Sequence, residues 1–285
     1  MVDERHVNAR SVSWVNGLAS DHVASVDRGL QYGDGLFETI TCLDGRPRWL
    51  DWHLRRLRRG CEQLGIGFEE FDALGSEIAA RAQGGSGRCI LKLILTRGSA
   101  TRRGYRPAGD EIPTRILSRH EWPDDPAPSP GSIADFPVAV SDVRLGVNPQ
   151  LAGLKHLNRL EQVLAQRELR GTAREEALML SSTGHVIGGS MSNLFLADEA
   201  GLSTPALEDC GVAGVVRELV CAAAARHGRP VRVRRVEAAE LEQAREAFVT
   251  NVRWGVRSIS ELAGRTLHSR AHAQLARGWI DAAPP

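Results

Sequence analysis

The segment SRHEWPDDPAPSPGS, Ser118 to Ser132, places four prolines in fifteen residues and shows no hydrophobic period. Proline has no backbone N–H and a fixed φ, so neither a central strand nor a helix interior runs through such a stretch. It reads as a spacer with a separate core on each side. The chain is accordingly divided into a smaller N-terminal α/β domain over residues 1–118, an interdomain linker over 119–132 and a larger C-terminal domain over 133–285.

On the N-terminal side, SVSWVNG, ending at Gly17, has the pattern of a strand entering a turn, and GLFETITCLDGRPRWL alternates into a hairpin around Asp44 and Gly45. From Asp51 the period changes. Leu54, Leu57, Cys61 and Leu64 recur at helical spacing, and a second helix is predicted from Phe68 to Arg81. CILKLILTRG is a strand with Lys92 pointing from one face, and RILS from Arg115 is its partner. Beyond the prolines come a strand in PVAVSDVRL, a helix with Leu157, Leu160 and Leu164 on one side, and three short strands between Glu176 and Leu207. A helix in GVVRELVCAAAARHG ends at Gly228; VRVRRVE and EAFVTN are strands, and the tail from Ser269 is a last helix. There is no internal repeat and no regular βαβα alternation, so the class is α+β.

With 36 basic and 35 acidic residues interspersed, the chain lacks the unbalanced basic surface that nucleic acid requires. No apolar run is long enough to span a bilayer, and MVDERHVNAR lacks the apolar core of a signal peptide, so a cytoplasmic protein is expected. Cys42, Cys61, Cys89, Cys210 and Cys221 contain no CxxC pair and read as small apolar core residues. Walker A, GxGxxG, GxSxG and HExxH motifs are all absent. His268 and His272, four apart on the expected last helix, have no acid ligand beside them and read as surface histidines.

Only two lysines, Lys92 and Lys155, stand among the 36 basic residues. Arginine replaces lysine wherever only a cation is needed, but it does not form a Schiff base. A lysine kept in LAGLKHLNRLEQV therefore hints at amine chemistry, although a lysine kept for packing would leave the same trace. GVAGVVREL sets a glycine-containing turn before a helix, so free N–H groups near Gly214, Val215 and Val216 would offer an anion site. VIGGSMSNLF and GLQYGDGLFETI place glycines where a backbone could approach a ligand, or where a tight turn alone is needed.

Taken together, DRGLQYGDGLFETI, HLRRL, LKHLNRLEQV, the SNLF segment and GVAGVVREL resemble, in order and spacing, the fold type IV enzymes that use pyridoxal 5'-phosphate. That family, of the D-amino-acid aminotransferase-like fold, includes branched-chain and D-amino-acid aminotransferases and 4-amino-4-deoxychorismate lyase. NPQLAGLKHLNRLEQ and TRGSATRRGY are most similar to the lyase's segments. The resemblance implies two α/β domains, a homodimer, and elimination of pyruvate from 4-amino-4-deoxychorismate, with an aminotransferase or a non-catalytic cofactor-binding protein as alternatives. It makes Lys155 the catalytic Schiff-base lysine and Arg56 a ligand of the cofactor phosphate. Val215 and Val216 would bind that phosphate through backbone amides, with Asn251 and Val252 in a further loop near it. Glu38 falls on the substrate side, and Arg97, Arg102 and Arg103 are candidates for substrate carboxylates. One departure stands out. Gly188 aligns with the glutamate that the aminotransferases, and many of the lyases, place against the cofactor's pyridine nitrogen; either a neighbour or water replaces that contact or the ring is a weaker electron sink, which counts against transamination more than against elimination.

Overall fold

A computed structural model of the chain describes residues 11–83, 87–100, 102–122, 133 and 135–283. The described residues form two compact units: one reaches Trp122 and includes Lys155–Leu157, and the other runs from Ile133 to Leu154 and from Asn158 to Ala283. Residues 123–132, which hold all four prolines of the linker, lie outside the described residues, as does the N-terminal stretch through Arg10.

The first unit contains β1 (Ser11–Val15), β2 (Leu18–Ala19), α1 (Arg28–Tyr32), β3 (Gly35–Leu43), β4 (Arg46–Pro47), α2 (Leu50–Leu64), α3 (Phe71–Ala82), β5 (Cys89–Thr96) and β6 (Thr114–Glu121). Its sheet has the order β2-β1-β6-β5-β3-β4 and is antiparallel throughout. Two hairpins follow from their turn residues. Asn16-Gly17 and Asp44-Gly45 all have positive φ, the requirement of the tight turn whose twist matches paired strands. Along β5, Leu91, Leu93 and Leu95 are fully buried while Lys92 between them is exposed, the period of two that a sheet with one covered face imposes.

Helix α2 is where the sequence pattern and the structure differ. The spacing predicts an apolar stripe of Leu54, Leu57, Cys61 and Leu64, but the buried face is His53, Arg56, Leu57, Gly60 and Cys61. The rotation has a polar cause. Glu38 projects from β3 into the helix layer and draws His53 and Arg56 inward. Gly60 completes the face, because a Cβ there would lie 2.7 Å from Leu36 Cδ1.

The second unit holds β7 (Val138–Leu145), α4 (Leu160–Glu168), β8 (Glu176–Ser181), β9 (Val186–Gly189), β10 (Asn193–Asp198), β11 (Gly201–Pro205), α5 (Val215–Arg226), β12 (Arg232–Arg234), β13 (Glu246–Asn251), β14 (Gly255–Ser258) and α6 (Ala271–Asp281). One sheet runs β7-β8-β9 and another β12-β11-β10-β13-β14. The apolar runs of β10 and β13 pair so that Phe195 and Phe248 are directly opposed and stack at 4.8 Å. Between Glu176 and Leu207 there are four strands, not the expected three, since Ser190–Ser192 turns β9 back into β10.

Two further expectations change. The leucine row assigned to one helix is split: Leu157 pairs with β3, α4 starts at Leu160, and Leu160 and Leu164 are 78% and 42% exposed. Ala165 is the residue that α4 buries. His268 lies outside α6, so it and His272 are not on one helix, and His272 Nδ1 instead meets Glu246 Oε2 at 3.1 Å. Among the described residues no cluster of His, Cys, Asp and Glu could hold a metal ion, and no helix is long and apolar enough to cross a membrane.

Candidate active site

Lys155 is positioned by backbone pairing. Phe37 N donates to Lys155 O at 2.9 Å, Leu157 N donates to Gly35 O at 3.0 Å, and Leu36 and His156 form an antiparallel bridge between them. Opposed residues of such a pair share a face, so the Lys155 side chain rises beside Phe37 and its Nζ sits 4.2 Å from the ring centroid. Gly35 permits the approach, because a Cβ there would fall 2.5 Å from Leu95 O and 2.9 Å from Leu157 Cδ1. Lys92, on the adjacent strand, reaches the same ring at 5.8 Å. The two lysines of the chain thus flank one phenyl group.

The opposite face of β3 carries a buried ionic cluster. Arg56 Nε donates to Glu38 Oε1 at 2.8 Å and Arg56 Nη2 donates to Oε2, while His53 Nδ1 lies 2.6 Å from Oε2. Burial alone would push the Glu38 carboxyl up, but the Arg56 charge and the bonds from His53 and Arg56 outweigh it and hold it at about 2. Burial also lowers His53, against the pull of Glu38, and its Nε2 is buried without a partner among the described residues. Glu38, expected on the substrate side, is therefore an internal counter-ion that ties α2 to β3. The Arg56 guanidinium, expected at a phosphate, is engaged with that carboxylate.

The arginines of TRGSATRRGY divide. Arg97 bonds Asp34 at 2.8 and 3.1 Å and donates to the carbonyls of Leu64 and Gly65, so it serves the fold and offers no open guanidinium to a carboxylate. Burial raises Asp34, yet Arg97 and Arg28 together hold it below the usual carboxylate range. Arg28 also donates to Gly104 O and Tyr105 O, pinning the segment that presents Arg102 and Arg103. Both of these are exposed.

In the second unit the relevant groups are largely backbone. Helix α5 starts at Gly214 with no side chain capping it, and Val215 and Val216 behind it are buried. Asn193 packs against this start: its Nδ2 donates to Val212 O at 2.8 Å, and a Cβ on Gly214 would lie 2.0 Å from its Oδ1. Arg217 is 9% exposed, bonds only Thr204 Oγ1 and Pro205 O, and makes no ion pair among the described residues. A buried cation in the first turn opposes the helix dipole, and with uncapped N–H groups it creates a demand for an anion. Thr250, opposite Asn193 across the β10–β13 ladder, adds a buried hydroxyl without a partner among the described residues. Asn251 shapes the following loop through its Oδ1, which accepts from Arg253 N and Trp254 N; Val252 lies within that turn. This set fits a phosphate, and of its members Asn193, Arg217 and Thr250 are not singled out by the sequence. The asparagine in SNLF is the one visible signal.

Gly188 has φ +156, and a Cβ there would lie 2.9 Å from Ser192 O, so the position resists any side chain. The buried carboxylate of Glu176 lies on the opposite face of β9: a Cβ on Gly189, not on Gly188, would meet its Oε2 at 2.7 Å. Glu176 is saturated by Ser190 Oγ, Ser192 Oγ, Ala177 N, Met191 N and Gln166 Nε2. Burial raises its carboxyl more than those bonds lower it.

Comparison with known proteins bears on the family and the fold. The Amino-transferase class IV family model matches residues 35–262. Aminodeoxychorismate lyase of Vibrio harveyi is 35% identical over 252 residues, covering 87% of this chain and 90% of its own. The crystal structure of 4-amino-4-deoxychorismate lyase from Pseudomonas aeruginosa superposes with a TM-score of 0.84 at 39% identity, covering 94% of this chain and 97% of that one. The branched-chain aminotransferase of the archaeon Thermoproteus uzoniensis, solved with norvaline, superposes at 0.82 with 23% identity over 95% and 93% of the two chains, a likeness of fold.

Proposed function

Because the chain belongs to the amino-transferase class IV family, we propose that it is a pyridoxal 5'-phosphate lyase that converts 4-amino-4-deoxychorismate into 4-aminobenzoate and pyruvate, a step toward folate. The observation that carries this reading is the placement of Lys155: an amine fixed by two backbone bonds to β3 and held over Phe37. The lyase relatives, alike over most of the chain, support the same assignment.

When bound, the cofactor withdraws electrons from the carbon that bears the substrate amine. Lys155 would hold the cofactor at its aldehyde group, and its amine would take the proton from that carbon and return one to the departing enolpyruvate. The start of α5 would hold the phosphate through the amides of Val215 and Val216, with Asn251 and Val252 in the adjoining loop. Arg102 and Arg103, exposed on the segment that Arg28 pins, receive substrate carboxylates. Gly188 leaves the ring nitrogen without the carboxylate that transamination uses, so elimination is favoured. A second copy of the chain covers the outward row of Leu160, Val163 and Leu164, making a homodimer, and the protein works in the cytoplasm.

Purified protein incubated with 4-amino-4-deoxychorismate should release pyruvate and 4-aminobenzoate in equal amounts, with little amino-group exchange between D-alanine or branched-chain amino acids and keto acids. Rapid exchange without pyruvate release would replace the lyase with the aminotransferase. Light scattering of wild type and Leu160→Glu tests the dimer: a wild-type monomer removes it.

A further inference from the structure

We propose that Cys42 and Cys89 form an oxidation site, a dithiol that hydrogen peroxide converts into a disulfide joining β3 to β5. The two residues are directly opposed in the antiparallel register and form its last pair. Opposed Cα atoms in such ladders are about 4.5–5.5 Å apart, within the span a disulfide bridges. Cys42 Sγ donates to Ile40 O at 4.0 Å, and both side chains are free and wholly buried.

The remaining cysteines lack this arrangement. Burial pushes the Cys61 thiol up to about 12 and that of Cys210 to about 11, and it also raises Cys221. Cys89 moves the other way. The adjoining Cys42 thiol and the neighbouring Arg119 guanidinium, on β6, outweigh its burial and lower it, while Cys42 is raised. A thiolate beside an arginine is the reactive form, and a second thiol in contact is the resolving partner. Access comes from the end of the ladder. The pair borders the Asp44-Gly45 turn, where Gly45 N donates to Gly87 O at 2.9 Å, and terminal pairs open more readily than central ones.

In the first step the Cys89 thiolate, its proton lost to solvent, attacks one peroxide oxygen. The O–O bond breaks, Cys89 becomes a sulfenic acid, and the hydroxide released takes up a proton. The Cys42 sulfur then attacks the Cys89 sulfur, its thiol proton leaving with the hydroxyl as a second water. Two thiols are oxidised, one peroxide is reduced, and two waters form. The new bond closes a loop containing α2 and α3, so it restricts the unfolded chain around His53 and Arg56.

The test uses the full-length protein treated with hydrogen peroxide, then alkylated and digested without reductant. A mass lower by two hydrogens, a peptide pair linked through Cys42 and Cys89, and a thermal midpoint raised until dithiothreitol is added are expected. Arg119→Gln should slow the linkage, and Cys42→Ser should leave Cys89 as sulfinic acid. The inference is overturned if both thiols are alkylated while Cys221 oxidises, if wild-type Cys89 overoxidises unlinked, or if the linkage joins two chains. Should Cys42→Ser fail to fold, the wild-type peptide map decides alone.

Discussion

The β3 region and the start of α5 treat buried charge in opposite ways. Around β3 the protein neutralises its own cation: Arg56 and His53 close on Glu38. At α5 a buried Arg217 meets only a hydroxyl and a carbonyl, and the helix start behind it is uncapped. The first arrangement serves the fold and the second awaits an anion. The difference teaches that a cation's partner decides its role, since Arg56 and Arg217 are both buried arginines on helices. Lys155 belongs to neither pattern, because it is its main chain, paired with β3, that holds it in place.

The largest effect should come from removing that amine. Lys155→Ala should lower pyruvate release by at least about a thousandfold, the scale of a lost base or nucleophile. The variant should keep its fold, because the two bonds to β3 use only main-chain atoms. Borohydride reduction of the wild-type holoprotein followed by peptide mapping should mark Lys155. A label on Lys92, which shares the Phe37 ring, would transfer the role to that residue.

Glu38→Gln attacks the self-neutralised region. Removing one member of a buried ionic cluster strands the others, so unfolding free energy in denaturant titrations should fall by about 3–5 kcal/mol. The pH dependence has a definite sign. The folded carboxyl lies at about 2, below its ordinary 4.5, so its stabilisation is present above the unfolded value and is lost as pH falls from 4.5 through 2. Wild type should lose stability across that window, and the variant should lose less. A variant as stable as wild type at neutral pH would mean that the cluster is not what fixes α2.

Much of this contrast is readable in the sequence, though unevenly. Lysine scarcity and LKHLNRLEQV point to Lys155 because its chemistry is carried by a side-chain type. GVAGVVREL points to α5 because glycine before a helix signals exposed amides. Helical periodicity misplaces the buried face of α2, since hydrophobicity alone does not reveal that Glu38, fifteen residues before His53, will pull polar groups inward. The leucines of α4 mislead for a related reason: periodicity identifies an apolar face but not what covers it. Arg97 looks like a substrate ligand by type, and only the long-range contact with Asp34 removes it.

Arg217→Met tests the unneutralised region, and here stability and binding should separate. Loss of a buried cation without a counter-ion should change the stability of the cofactor-free protein by less than about 1 kcal/mol, because the desolvation cost goes with the charge. Affinity for pyridoxal 5'-phosphate should weaken by about 1.5–3 kcal/mol, the range of a hydrogen bond to a charged group. Titration of the cofactor-free protein measures one and chemical denaturation the other. Equal losses in both would make Arg217 a structural residue like Arg56.

The smallest effect brings the comparison down to two carboxylates. Glu38 and Glu176 are both about 1% exposed or less, but Glu38 faces cations, whereas Glu176 faces the hydroxyls of Ser190 and Ser192 and the N–H groups of Ala177, Met191 and Gln166. Without a counter-charge, burial prevails and the folded carboxyl of Glu176 is raised above 4.5. A raised group contributes stability that is present below the unfolded value and lost as pH rises through the folded one. Glu176→Gln cannot ionise and keeps most of the hydroxyl partners, so its cost should be about 1 kcal/mol at about pH 4 and should shrink toward neutrality. The Glu38→Gln deficit should instead grow as pH climbs from 2 to 4.5. Urea titrations of both variants from acidic to mildly alkaline pH measure the two slopes. If the slopes share a sign, the partner of a buried carboxylate does not determine its behaviour here, and the contrast drawn between β3 and α5 loses its electrostatic basis.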